Sequence, residues 1–210
     1  MNLKIKICGM NHNVQEVSLL HPAYLGFIFY KGSPRNFDKT IPPLPNTIKK
    51  VGVFVNETIE TILEKVKEHG FQVLQLHGDE SADYLASLRD QIETSEKKIE
   101  LWKVFSIGET LDFSEIAPFE KHADKYLFDT QGKKRGGNGR SFNWEVLTNY
   151  PFQTPFILSG GIGPESISAI RALLKKSIPL HGIDLNSRFE TEPGLKNITQ
   201  LKKFIHALSS

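Results

Sequence analysis

Short apolar runs alternate along the chain with segments whose apolar residues recur every three or four positions. The first run spans residues 5–8, and Val14, Val17 and Leu20 follow at helical spacing. Residues 24–29 are apolar almost throughout, and residues 51–55 form a third run. Ile59, Ile62, Leu63 and Val66 recur at i, i+3, i+4 and i+7, the stripe of an amphipathic helix, and Gly70 stands where such a helix closes. A fourth run covers residues 71–76. Leu85, Leu88 and Ile92 then mark a helix that Asp79 or Ser81 is placed to cap. Residues 99–105, 126–128, 156–158 and 183–185 complete the strand-like runs. Ile167, Ile170 and Leu174 predict a helix opened by Gly163-Pro164, proline being tolerated in a first turn. Ile198, Leu201, Ile205 and Leu208 predict the closing helix.

Eight strand-like runs, most followed by a helix, predict a parallel sheet with helices outside it. Eight βα units in one chain predict an α/β fold of the closed (β/α)₈ TIM barrel type, a single compact domain over residues 1–210. The lower size limit of such barrels is ~200 residues, so the connections must be short. Two of them fit poorly. Residues 37–49 carry Pro42, Pro43 and Pro45, which oppose a full helix, and residues 108–122 give only a weak helical signal. An open doubly wound sheet is the alternative, although no GxGxxG follows the first strand.

Composition narrows the functional classes. With 26 Lys and Arg against 24 Asp and Glu, the net charge is +2, which gives no sign of a nucleic-acid partner. No apolar run approaches the ~18 residues of a membrane span. The first ten residues lack the apolar core and cleavage site of a secretion signal. Cys8 is the sole cysteine, so neither an internal disulfide nor a multi-cysteine metal site is available, and a reducing, cytoplasmic setting is expected.

In barrels of this kind the site lies at the C-terminal ends of the strands. The polar residues just past the predicted strands are Cys8-Gly9, Ser33-Pro34-Arg35, His77-Gly78, Asp129-Thr130, Ser159-Gly160-Gly161 and 184–187. The segment Ser159-Gly160-Gly161-Ile162-Gly163-Pro164 carries the strongest signal. Its glycines let the backbone approach a ligand, its amides face the next helix, and phosphate sites recur after strands seven and eight. A plain tight turn would need the same glycines. Cys8 reads either as a buried structural residue or as a reactive group at a strand end. Asp129 reads as a loop cap, or as a general acid if burial favours its protonated form. His77 reads as a core histidine or a pocket residue. Arg35 reads as surface or as a fork for a carboxylate. The stretch Gly136-Gly137-Asn138-Gly139-Arg140 suits a closing loop, and Lys133-Lys134-Arg135 a solvated surface or an anion-steering patch.

Several motifs in register resemble the phosphoribosylanthranilate isomerases of tryptophan biosynthesis. They are Lys6-Ile7-Cys8-Gly9, Gly26-Phe27-Ile28-Phe29-Tyr30 with Ser33-Pro34-Arg35, Val51-Gly52-Val53-Phe54-Val55, and Gln75-Leu76-His77-Gly78-Asp79-Glu80. Phe128-Asp129-Thr130 follows, then 136–144, Ser159 to Glu165, and Gly182-Ile183-Asp184-Leu185-Asn186-Ser187, with Glu190 and Pro193-Gly194 beyond. The resemblance runs nearly the whole length.

It implies a cofactor-free, metal-free Amadori rearrangement of the aminoaldose N-(5-phosphoribosyl)anthranilate. The product is the aminoketose 1-(2-carboxyphenylamino)-1-deoxyribulose 5-phosphate. By the same resemblance Asp129 is the acid that opens the ring and Cys8 the base that takes the C2′ proton. Arg35 holds the anthranilate carboxylate, His77 lines the pocket and Asp184 organises that end of the site. Gly160, Gly161, Asn186 and Ser187 bind phosphate. A thiol near 8.5 is mostly protonated at neutral pH, so the site is expected to lower it. Arg188 stands where the family often has Gly, and Asn186 where Ser is typical. The only partner implied is the small-molecule substrate, with no nucleic acid and no membrane. Monomer and homodimer both stay open. Another phosphosugar enzyme on the same fold, or a binding protein that kept the pocket without the chemistry, are the competing readings.

Overall fold

The computed structural model describes residues 3–93, 98–108, 110–130 and 144–209. Eight strands, β1 (Lys4–Ile7), β2 (Tyr24–Phe29), β3 (Lys49–Phe54), β4 (Val73–Leu76), β5 (Glu100–Ile107), β6 (Lys125–Thr130), β7 (Phe156–Leu158) and β8 (Leu180–Leu185), pair in chain order. All are parallel, and β8 returns to β1 with Ile5 opposite Ile183 and Ile7 opposite Leu185. That last pairing closes the barrel and sets aside the open doubly wound sheet.

The helices are α1 (Val14–Ser18), α2 (Ile59–His69), α3 (Ala82–Glu93), α4 (Ile167–Leu174) and α5 (Ile198–Ser209). The Thr58 hydroxyl accepts the Thr61 amide proton at the start of α2, and Gly70 ends it in the left-handed region at φ 63°. Ser81, rather than Asp79, caps α3 by accepting from the Tyr84 amide at 3.1 Å. The helix expected after Gly163-Pro164 begins with a 3₁₀ turn, Pro164–Ser166, and then runs on as α4. The proline-rich residues 37–49 form no helix, and two 3₁₀ turns, Phe113–Glu115 and Ala117–Phe119, fill the weak connection before β6. A 3₁₀ turn at Ser187–Phe189 leads into a small hairpin, β9 (Glu190–Glu192) with β10 (Leu195–Lys196), that the apolar pattern does not announce. Among the described residues no helix is long and apolar enough to cross a membrane.

Side-chain alternation sorts each strand into two faces. Tyr24, Val51, Val53, Val73, Trp102, Val104, Leu127 and Ile157 pack inside the barrel. Their neighbours, among them Ile7, Leu25, Phe27, Phe54, Leu74, Leu101, Phe128 and Leu158, pack outward against the shell. The interior is therefore layered. At its N-terminal end Glu100 accepts from Lys49 Nζ and Lys125 Nζ, each at 2.6 Å, and from Trp102 Nε1 at 3.0 Å. Tyr24 and His181 hydrogen-bond beside this cluster at 2.9 Å. Apolar side chains fill the middle, and polar ones crowd the C-terminal mouth.

Burial alone pushes the Glu100 carboxyl up, but its bonds to Lys125, Lys49 and Trp102 outweigh it and bring the value to about 2 from 4.5. A depressed carboxyl stabilises the fold above its unfolded value and loses that contribution as pH falls through the folded one. Glu100→Gln is therefore expected to lower stability by roughly 2–3 kcal/mol at neutral pH. The gap to the wild type should narrow as pH drops from 4.5 towards about 2, measured by thermal melts across that range.

Candidate functional site

The ladder extends one rung past several strands and so fixes the residues that follow them. The Cys8 amide donates to Leu185 O, the His77 amide to Phe54 O and the Ser159 amide to Phe128 O, at 2.8–2.9 Å. Cys8 thus stands at the end of β1, His77 after β4, Asp129 within the last turn of β6, Ser159 after β7 and Asp184 near the end of β8. All five expected positions converge on one mouth of the barrel.

At the centre of that mouth, Lys6 Nζ donates to Asp184 Oδ2 at 2.8 Å, with side chains only 1% and 5% exposed. The other carboxylate oxygen, Asp184 Oδ1, is buried without a hydrogen-bond partner. Such an acceptor is costly to leave unmet and is suited to a ligand hydroxyl. Across the mouth, Asp129 Oδ1 accepts from the Thr130 amide at 2.9 Å, and Asp129 Oδ2 lies 3.5 Å from His77 Nε2. His77 Nδ1 meets Gln75 Nε2 at 3.2 Å.

A second network lies beside Cys8. Arg35 Nε donates to both Glu190 oxygens at 3.0 and 2.9 Å, and its Nη2 donates to Oε2 at 2.6 Å. The guanidinium fork that the sequence reserves for a ligand carboxylate is thus held by a side chain of the β9 strand. Nη1 remains beyond that fork. Glu190 Oε1 also accepts from Lys196 Nζ at 2.6 Å, and the same ammonium donates to Asn186 Oδ1 at 2.8 Å. The Asn186 carbonyl is therefore committed, which leaves its amide N–H groups for an anion. A Cβ on Gly9 would lie 2.6 Å from Arg35 Cδ and 2.7 Å from Asn186 Oδ1, so this glycine is where the loops after β1, β2 and β8 meet.

Gly160 and Gly161 turn the chain after β7 with φ of 82° and 67°. This left-handed conformation disfavours side chains. A Cβ on Gly160 would also fall 2.1 Å from Thr130 Oγ1 and 2.5 Å from the Thr130 nitrogen. The turn therefore lies directly against Asp129-Thr130. Arg188 forms an exposed pair at 2.6 Å with Glu165, in the 3₁₀ turn that follows this glycine segment. Its charge is matched by that carboxylate. The basic triplet 133–135 and the glycine-rich 136–140 lie outside the described residues.

One expectation is reversed. Burial pushes the Cys8 thiol up. Lys6 and, more weakly, Lys196 pull it down, while Asp184 adds to the rise, and the net direction is upward. Lys6 goes the other way: burial opposes its charge, but Asp184 and Cys8 outweigh burial and raise it above the ordinary lysine value. Lys6, Lys196 and the pairing role of Glu190 escaped the sequence reading. For Lys6 a signal existed, because the period of two puts it on the same face of β1 as Cys8.

A model of the N-(5'phosphoribosyl)anthranilate (PRA) isomerase family matches residues 5–207. The chain belongs to this family. The N-(5'-phosphoribosyl)anthranilate isomerase of Parabacteroides distasonis is 42% identical over 97% of this chain and 92% of its own length. That of Phocaeicola vulgatus is 38% identical over 97% of each. Among solved structures, the phosphoribosyl anthranilate isomerase of Thermotoga maritima superposes with a TM-score of 0.81 at 26% identity, covering 99% of each chain. The Thermus thermophilus enzyme gives 0.78 at 25% identity, covering 99% of this chain and 98% of its own. As in these isomerases, the barrel is built of eight parallel strands in chain order. Among the described residues no group of three His, Cys, Asp or Glu side chains is placed to hold a metal ion.

Two of the glycines before α4, Gly160 and Gly163, are expected to respond differently to a side chain. Gly160→Ala should cost about 1–3 kcal/mol, from left-handed strain and the clash with Thr130. At Gly163 an added Cβ meets only the movable Glu165 carboxylate, so Gly163→Ala should be nearly neutral. Urea unfolding of the two variants compares them.

Proposed function

We propose that the chain converts N-(5-phosphoribosyl)anthranilate into 1-(2-carboxyphenylamino)-1-deoxyribulose 5-phosphate by a cofactor-free Amadori rearrangement driven by general acid and base catalysis. The observation that carries this reading is the pairing, at one mouth, of a buried carboxyl on β6 with a buried thiol on β1, beside the orphan oxygen of Asp184. The reaction is an internal redox exchange: C1′ is reduced and C2′ oxidised within one molecule. It needs protons moved and no external electron acceptor.

Asp129 gives its proton to the furanose ring oxygen. The C1′–O bond breaks, and the anthranilate nitrogen lone pair becomes the second bond of an iminium ion. Cys8, as thiolate, takes the C2′ proton, and the released pair neutralises the iminium to give an enolamine. The enol proton leaves and C1′ is protonated, giving the ketone. His77, 3.5 Å from Asp129, orients the acid. Asp184 Oδ1 accepts a ribose hydroxyl.

The phosphate sits against the Gly160 and Gly161 amides and the Asn186 and Ser187 donors. The left-handed Gly160 and Gly161 support this placement, because a turn without Cβ atoms lets a phosphate approach its backbone amides closely. Arg35 meets the anthranilate carboxylate through Nη1, with Glu190 holding the guanidinium plane. Near-neutral charge and a single thiol suit a cytoplasmic enzyme of tryptophan biosynthesis.

The test is a steady-state assay with the substrate generated in situ. Cys8→Ala and Asp129→Asn should each lower kcat by about 10²–10⁴-fold with melting temperature and phosphate-ligand affinity largely kept. Turnover close to wild type in either variant removes that residue from its role. Binding of a reduced product analogue without any turnover by the wild type would favour a phosphosugar-binding protein instead. Arg35→Ala should weaken ligands carrying the aromatic carboxylate more than ribose phosphate, compared by calorimetry. Equal losses would remove the carboxylate contact.

A further inference from the structure

Lys6 is among the largest fully buried side chains of the protein, and no step of the rearrangement uses it. Strand alternation turns Lys6 and Cys8 into the same interior. Gly26 on the adjoining β2 shows how close they come. A Cβ there would lie 2.7 Å from Cys8 Sγ and 3.2 Å from Lys6 Nζ, so thiol and ammonium flank one bare patch of backbone. The ammonium bonds Asp184 Oδ2 at 2.8 Å, and the neighbouring Cys8 adds to the attraction that keeps it charged.

We propose that Lys6 is a positioning residue of the isomerase, its buried ammonium serving as the counter-ion, shared with Asp184, that lets Cys8 exist as a thiolate inside the barrel. The inference rests on the reading of Cys8 as the base. The Cys8 S–H proton passes to water at the open mouth, and Lys6 stays an ammonium throughout.

The charges facing the thiol come from three elements. Lys6 comes from its own strand, Asp184 from β8 and Lys196 from β10. Lys196 is balanced at 2.6 Å by Glu190, which Arg35 also holds, so much of its field is already spent. Asp129 on β6 acts on Asp184 and so opposes a further negative charge near it. Lys6 is left as the strongest group favouring the thiolate against burial. A carboxylate alone beside the thiol would make the base unusable. A neutral residue at position 6 would leave Asp184 in the same apolar interior without a partner. One ammonium between two acidic groups meets both demands.

Because Cys8 is the sole cysteine, its ionisation can be read directly from the pH dependence of alkylation by iodoacetamide in the whole enzyme. Lys6→Met is expected to raise the apparent thiol pKa by about 1–3. The acid limb of kcat/KM should move with it, lowering the rate about tenfold per pKa step at neutral pH and recovering in alkali. Lys6→Arg, which keeps the charge, should bring both values back towards the wild type.

Since Lys6→Met leaves Asp184 buried and unpaired, the comparison is repeated without that charge. Lys6→Met/Asp184→Asn should show a higher thiol pKa than Asp184→Asn alone. An equal thiol pKa in those two proteins overturns the proposal. So does loss of turnover in Lys6→Met with the thiol pKa unmoved, because a merely structural lysine would do that. A shifted thiol pKa together with full turnover in Cys8→Ala would uphold the charge coupling and discard Cys8 as the base.

Discussion

The Lys6–Asp184 ion pair is the interaction on which the site depends. Its partners are 178 positions apart in the chain and meet only because β8 closes onto β1. Buried ion pairs are weak contributors to stability, since desolvation offsets most of their attraction, yet removing one partner typically costs about 3–5 kcal/mol. Such a pair at the barrel seam is therefore better explained by what it does to its neighbours. It occupies one Asp184 oxygen and leaves the other buried without a partner, and it sets an ammonium beside the only thiol. Neither condition survives unless the seam is closed in the observed register.

The same logic separates stability from chemistry along the barrel axis. The N-terminal end carries its charges in a saturated cluster, with Glu100 bound by two lysines and an indole and nothing left to offer a ligand. The C-terminal mouth carries its charges unsaturated or shared. Between them lies an apolar layer of Val51, Val53, Val73, Trp102, Val104, Leu127 and Ile157 that insulates one from the other. The hairpin after β8 then reaches back over the mouth. Through Glu190 and Lys196 it joins Arg35 from the loop after β2 to Asn186 from the loop after β8, so both ends of the cavity are tied to a single short element.

Much of this was legible in the amino-acid order, for a physical reason. Strands buried on both faces read as continuous apolar runs, and seven of the eight expected runs overlap their strands closely while the eighth, 183–185, is the second half of β8. The strands start before their apolar runs at Lys49-Lys50, Lys125 and 180–182, where Lys49 and Lys125 bind Glu100 and His181 meets Tyr24 at the barrel floor. Phe71 was read as strand, whereas it packs in the outer shell against Phe29, Phe54 and His69. Of the site, the strand-end positions of Cys8, His77, Asp129 and Asp184 followed from the barrel rule. The charge state of the thiol did not, because it depends on how deeply Cys8 is buried and on partners from β8 and β10, neither of which local spacing encodes. The hairpin was missed because strands of three and two residues leave no periodicity to detect.

The pairing of charges at the mouth also constrains how an anionic ligand is met. Lys6 is engaged by Asp184, while Arg35 and Lys196 share Glu190, so the cations nearest Cys8 are matched before any ligand arrives. Arg188, in the turn after β8, is paired with Glu165 at the surface. On the proposed placement, a ligand phosphate would meet few unpaired cations among the described residues and would rely on oriented dipoles: the amides of the Gly160-Gly161 turn and the side-chain amide of Asn186. Fixed dipoles have an advantage here. A free lysine or arginine at that end would add to the field on Cys8 in the empty enzyme, and its effect would vanish on neutralisation by the ligand, when the thiolate is needed. On that placement, peptide dipoles would leave the Lys6 field on Cys8 the same before and after binding. On the proposed reading, the glycines after β7 and the lysine on β1 would be two halves of one arrangement, in which the anion is held without drawing on the charge that the base requires.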